Sequence, residues 1–130
     1  MTDFSDALNI AASGMKAQAS RLRHVSENIA NSDTPGYRRK TVSFRETVQN
    51  GDRPGLVETG RVRLDQTELP RVYDPSHPMA DSTGYYDGSN VNLLIEIADA
   101  REAQRSYEAN LKLFEQVRRM SSAITDILRR

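Results

Sequence analysis

The chain has 130 residues, of which 37% are hydrophobic and 28% charged, so the apolar supply for a private core is thin and isolated stability should be marginal. Eighteen Lys and Arg balance eighteen Asp and Glu, which removes the broad electrostatic case for nucleic acid or an anionic membrane surface as partner. Without cysteine there is no disulfide, thiolate nucleophile or cysteine-bound metal, and the compartment stays open.

The N-terminal MTDFSDALNIAASG lacks the basic start and unbroken apolar run of a secretory signal, and nowhere do eighteen apolar residues follow one another. No direct membrane insertion is expected, and any passage out of the cytosol needs another route. All five prolines and six of the seven glycines lie between Pro35 and Gly88, leaving both ends almost free of helix breakers. The chain therefore divides into two helical ends, 1–31 and 91–130, forming one discontinuous domain, and an insert, 32–90.

In the first end, Phe4, Leu8, Ala11, Met15, Gln18, Leu22, Val25 and Ile29 alternate steps of four and three. That is a heptad seam, the pattern of a helix lying lengthwise on another, and residues 4–31 would span roughly 40 Å. Asp3 or Ser5 can cap its start. In the insert, TVSFRETV (Val42, Phe44, Val48) and RVRL (Val62, Leu64) have period two and are separated by the turn-forming NGDRPG, which predicts a small β-hairpin with long loops. YDPSHPMADSTGYYDGSN reads as an extended or turning connector, with Ser89 or Asn90 as N-cap of the last helix. In that helix Leu93, Ile97, Ala100, Gln104, Tyr107, Leu111 and Phe114 keep one seam, then Leu113, Val117, Met120, Ile124 and Ile127 keep another. The change of register turns the stripe around the helix, so one straight partner cannot cover it. Residues 91–128 would span roughly 57 Å, leaving an overhang beyond the first helix. The fold class is mainly α: long N- and C-terminal helices pairing as an antiparallel coiled coil, with a small β-hairpin or extended insert between them.

Between helix and insert lies NIANSDTPGY, residues 28–37. A helix that stops abruptly needs a residue tolerant of the left-handed conformation and then one that cannot continue; Asn31 and Pro35 fit these places. Pro35 and Gly36 suit the two central positions of a type II turn, which puts Gly36 at positive φ. Asn28 can bond nearby backbone, and Tyr37 can pack its ring with the hydroxyl wet.

The stretch AASGMKAQASRLRHVSENIANSDTPGYRRKTVSF resembles the N-terminal signature of bacterial flagellar rod and hook proteins. Its core pattern is carried here by Asn28, Asn31, Thr34, Pro35, Gly36 and Tyr37. NVNLLIEIADAREAQRSYEANLKLFEQVRRM, with RSYEAN at its centre, resembles that superfamily's other end. The likeness covers residues 4–44 and 70–128. Short length and the connector leading into NVN resemble the proximal rod subunits; the compact NSDTPGY suits two kinds of these, and the C-terminal half decides between them. The resemblance implies a structural subunit of the basal-body proximal rod, a periplasmic drive shaft that transmits torque. It implies a homo-oligomer in a helical assembly, contacts with other rod proteins and with the junction or export-gate complex, and unfolded type III export without a cleaved signal peptide. The competing class is a soluble helical adaptor or chaperone that forms a discrete oligomer.

Sites of chemistry are scarce. His24 and Glu27 stand three apart on a helix, but two histidines in the whole chain make a poor metal set. Asp74, Ser76 and His77 offer a carboxylate, a hydroxyl and a base, yet neighbours in sequence cannot converge as a relay. We expect no catalytic residue, cofactor or metal. The basic clusters Arg38, Arg39 and Lys40, Arg118 and Arg119, and Arg129 and Arg130 serve either solvation with local salt bridges or charge matching between subunits. The side chains expected at seams and subunit interfaces are Leu8, Met15, Leu22, Val25, Ile29, Tyr107, Leu111, Phe114, Val117 and Ile124.

Overall fold

A computed structural model describes residues 2–47 and 55–130. Helix α1 is Thr2–Ala30 and helix α2 is Leu93–Leu128, and between them lie β1 (Lys40–Thr41), β2 (Phe44–Thr47), β3 (Leu56–Thr59), β4 (Arg63–Leu64), β5 (Arg71–Tyr73) and β6 (Tyr85–Asp87). The protein is mainly α. Helix α1 already runs through Asp3 and Ser5, so neither is its cap; Asp3 instead places a carboxylate in the first turn, where the helix dipole favours it. Helix α2 begins two residues later than the sequence suggested, because Asn92 is its N-cap and accepts from the Leu94 N–H at 3.0 Å. Asn90 is engaged elsewhere.

The helices run antiparallel: Gly14 faces Asn110, Arg21 reaches Asp99, and Asn28 reaches Glu96. On that register the turns of α2 after about Met120 lie beyond the start of α1. The pairing face is small and polar. Its buried apolar residues are Ala11, Ala17, Val25 and Ala103, joined by His24, Asn28 and Glu96. A Cβ on Gly14 would stand 2.9 Å from the Asn110 amide nitrogen, so glycine there admits the partner side chain.

Of the seam residues expected on α1, Val25 is buried and Leu8, Met15, Leu22 and Ile29 are half-buried. The stripe on α2 is displaced. Tyr107, Phe114 and Val117 are half-buried, but Leu93, Ile97, Leu111 and Ile124 are exposed, as are Leu113, Met120 and Ile127. Small α1 side chains draw Glu96 and Ala103 inward, and the long aliphatics are rotated outward. The accessible surface is 9446 Å², against roughly 6,900 Å² for a compact monomer of this mass. The excess measures how much of the chain has no intramolecular cover.

The first hairpin is one ribbon broken by a bulge. Phe44 opposes Thr59 and Thr47 opposes Leu56, while Lys40 opposes Leu64 and Thr41 opposes Arg63. Between these ladders, residues 42–43 face residues 60–62, and the Gly60 N–H donates to the Ser43 carbonyl at 2.7 Å. The sequence located β2 and β4 but missed β3, because flanking Gly55 and Gly60 read as breaks. Gly55 is in fact required by closeness: its Cβ would fall 2.2 Å from the Thr47 carbonyl oxygen. Val48 and most of NGDRPG lie outside the described residues. Strand β3 leans on α1, and the Val57 N–H donates to Ser13 Oγ at 3.1 Å.

The segment expected as a plain connector contains a second hairpin, with Arg71 opposite Asp87 and Tyr73 opposite Tyr85. Three-residue strands are too short to show period two. Its loop is tied by Asp81, whose Oδ1 accepts from the Thr83 N–H, the Thr83 hydroxyl and the Tyr85 N–H, while Oδ2 accepts from Arg71. These bonds hold the Asp81 carboxyl far below its usual range, the Thr83 hydroxyl contributing most.

Candidate functional site

The element that everything else in the insert hangs on is the end of α1. Asn31 does not turn left-handed: among the described residues only Gly36 and Gly84 have positive φ. The helix instead tightens, with Asn31 N–H donating to Glu27 and Asn28 carbonyls and Ser32 N–H to that of Ile29. The Asn31 amide donates to the Glu27 carbonyl at 2.8 Å and its oxygen accepts from the Thr34 hydroxyl at 3.1 Å. Asn31 thus caps by side chain. The Tyr37 N–H then closes on the Thr34 carbonyl at 3.2 Å, with Pro35 and Gly36 (φ 74°) at the centre of the turn. That is the type II turn the sequence called for.

The turn aims Tyr37 back at the helix. Its hydroxyl donates to Asn28 Oδ1 at 2.9 Å, and the Lys40 N–H donates to the same oxygen at 2.9 Å. The Asn28 amide donates to the Lys40 carbonyl at 2.9 Å and to Glu96 Oε2 at 3.3 Å. Asn28 is fully buried with both donors and both lone pairs occupied. Glu96, also fully buried, accepts at its other oxygen from Arg39 Nε, and Arg39 reaches on to Asp99, which also pairs with Arg21. The carboxylate therefore has a full-charge partner, as burial demands. One asparagine joins helix, turn, first strand and opposite helix.

A second layer surrounds it. The Arg39 N–H donates to Asn90 Oδ1 at 2.6 Å, while the Asn90 amide and Arg38 both donate to the carbonyls of Asp65 and Thr67. The Gly36 N–H donates to the Asp87 carbonyl at 3.1 Å, pinning the second hairpin to the turn. Lys40 pairs with Glu27 at 2.8 Å, which lowers the Glu27 carboxyl and raises the Lys40 ammonium; burial raises the Tyr37 phenol. Arg38, Arg39 and Lys40 are all committed within the chain. Glu96 was missing from the sequence reading, although a lone acid inside LLIEIA was a visible signal, and Arg39 and Asn90 were read there as a surface cation and a helix cap.

Neither considered reaction centre forms. His24 Nδ1 stands 3.6 Å from Glu27, which Lys40 already holds, and no group of metal-ligating side chains gathers among the described residues. The Ser76 hydroxyl donates to Asp74 at 2.6 Å, whereas His77 Nδ1 accepts from the Met79 N–H and its ring stacks on Tyr86, so no proton path links the three.

Paired chain ends, a buried polar lock that exposes no reactive group, and long aliphatics left outside define a structural subunit that is completed by neighbours. The chain belongs to the FlgC-type flagellar basal-body rod proteins. Residues 8–38 match the flagella basal body rod protein family, and residues 82–127 match the C-terminal family of the flagellar basal body rod FlgEFG proteins. The chain is 43% identical to the flagellar basal-body rod protein FlgC of Agrobacterium fabrum, over 99% of this chain and 98% of that one. It is 34% identical to FlgC of Salmonella typhimurium and 39% to that of Aquifex aeolicus, over 86% and 88% of this chain and 88% and 89% of theirs. It is a structural rod subunit of the flagellar basal body and not an enzyme. Membership sets aside the adaptor or chaperone.

Proposed function

We propose that the chain is a proximal-rod subunit that packs with copies of itself and with other rod proteins into a helical tube, and that this tube carries torque. The observation that carries this is the outward stripe of α2, whose long aliphatics between Leu93 and Leu128 are left exposed. Paired ends 1–31 and 91–130 act as one rod-core unit with coiled-coil packing completed between subunits, and 32–90 acts as its insert. Leu8, Met15, Leu22, Val25 and Ile29 work with Tyr107, Phe114 and Val117 at seams, while Leu111 and Ile124 meet neighbours. A stiff shaft follows from long helices laid side by side, and a contact repeated without closing a ring makes a helix. The site of action is periplasmic, reached by type III export without a cleaved signal, with the export-gate junction among the contacts; no helix of the described residues is long and apolar enough to cross a membrane. Fractionation of a tagged motile strain tests this. Recovery in purified hook-basal bodies supports the reading, and recovery solely in cytosol overturns it.

A further inference from the structure

We propose that the free end of α2 in one copy docks into the groove between α1 and β3 of a second copy. This rests on the assembly reading above and names the surfaces. Met120, Ile124, Ile127 and Leu128 are spaced four, three and one apart, so they share one face of the helix. All four are exposed, Ile127 at 70% and Leu128 at 74%. Ile124, Ile127 and Leu128 lie past the start of α1 on the antiparallel register and Met120 lies level with its first turn, so α1 does not run alongside the tip.

The groove has the converse character. It encloses about 780 Å³ between the α1 residues Ser13, Ala17 and Ser20 and the β3 residues Leu56 and Val57. Small side chains on α1 make it deep, and Leu56 and Val57 give it an apolar wall. Its α1 wall runs from residue 13 to residue 23, about 15 Å, and the apolar face from residue 120 to residue 128 is about 12 Å long. An apolar helix face lying in such a groove is a recurrent recognition mode. Charges suit it: Lys16 and Arg23 line the α1 side and Glu58 the β3 side, while the free end carries Asp126 and then Arg129 and Arg130.

A chain cannot fill its own groove. Helix α2 continues away from α1, and groove and free end are separated by about 30 Å along the axis. The occupant is therefore a second copy displaced by about that distance. Groove and free end are different surfaces, so the contact is heterologous and propagates.

The chain has no cysteine, so engineered pairs report cleanly. Full-length Ile127→Cys and Ser20→Cys chains, mixed and treated with a short bismaleimide, should give a heterodimer at least tenfold above Ile127→Cys mixed with Glu68→Cys, whose position is exposed and outside the groove. Ile127→Asp should keep the wild-type helical content and lose association at least tenfold. Yields equal to the control in a sample that sediments as an assembly overturn the docking while assembly stands. A wild-type chain that never associates overturns both.

Discussion

Asn28→Ala removes four hydrogen bonds at once and leaves their partners where they were. At about 1 kcal/mol net for each bond the loss is about 4 kcal/mol, and the partner Glu96 Oε2, fully buried, sits at the costly end of that range. A domain of this size has about 5–15 kcal/mol in total, and four buried apolar side chains among the described residues place this one low. The substitution should therefore leave the isolated chain with only about 1 kcal/mol of stability at 25 °C, so that unfolded molecules are measurable before urea is added. Urea titration followed by far-ultraviolet circular dichroism measures it, with Asn31→Ala as comparison: two bonds at a more exposed site, about 1 kcal/mol. Asn28→Asp adds a sharper test. It keeps both acceptors but sets a second carboxylate about 3.3 Å from Glu96, a repulsion of about 5 kcal/mol at an effective dielectric near 20. One of the two carboxyls must then hold a proton, its folded pKa is raised, and the variant should gain stability as pH falls from 8 to 5. An Asn28→Ala chain within 1 kcal/mol of wild type, or an Asn28→Asp chain that weakens on acidification through that window, would refute the hub.

Other outcomes follow from the same geometry. Gly36→Val meets open space, so its cost is backbone strain alone, about 2 kcal/mol or more at φ 74°, and should slow swarming in soft agar; full motility would remove the turn from the argument. Asp81, Asp74 and Asp65 titrate below their unfolded values, so what they contribute is complete above the ordinary carboxylate range and lost as pH falls through and below it. Amide signals of the β5–β6 loop should broaden below about pH 4, and Asp81→Asn should show that broadening already at neutral pH. Leu111→Asp, at a 38% exposed position, should shift urea stability by less than about 0.5 kcal/mol yet keep the chain out of isolated basal bodies. Fully protected amide exchange along the whole of α2 in dilute monomer would contradict the need for neighbours to cover it.

What the residues determined alone is local. Two ends interrupted by a breaker only at Gly14 form helices, and Pro35 with Gly36 closes a type II turn. Part of the rod-family pattern is local in the same sense: the Asn31 amide donates to the Glu27 carbonyl, its oxygen accepts from the Thr34 hydroxyl, and Pro35 with Gly36 makes the turn. Tertiary structure decided which side of α2 faces inward. A heptad records that apolar groups share a stripe but not whether the stripe meets its own chain or another, and here Gly14 admits Asn110 and the charge of Arg39 holds Glu96 inside, while Leu111 is left exposed. Asn28 shows the same division. Its place in the sequence announced a helix end, whereas its fourth hydrogen bond, to a glutamate 68 residues away, exists only once both helices have met.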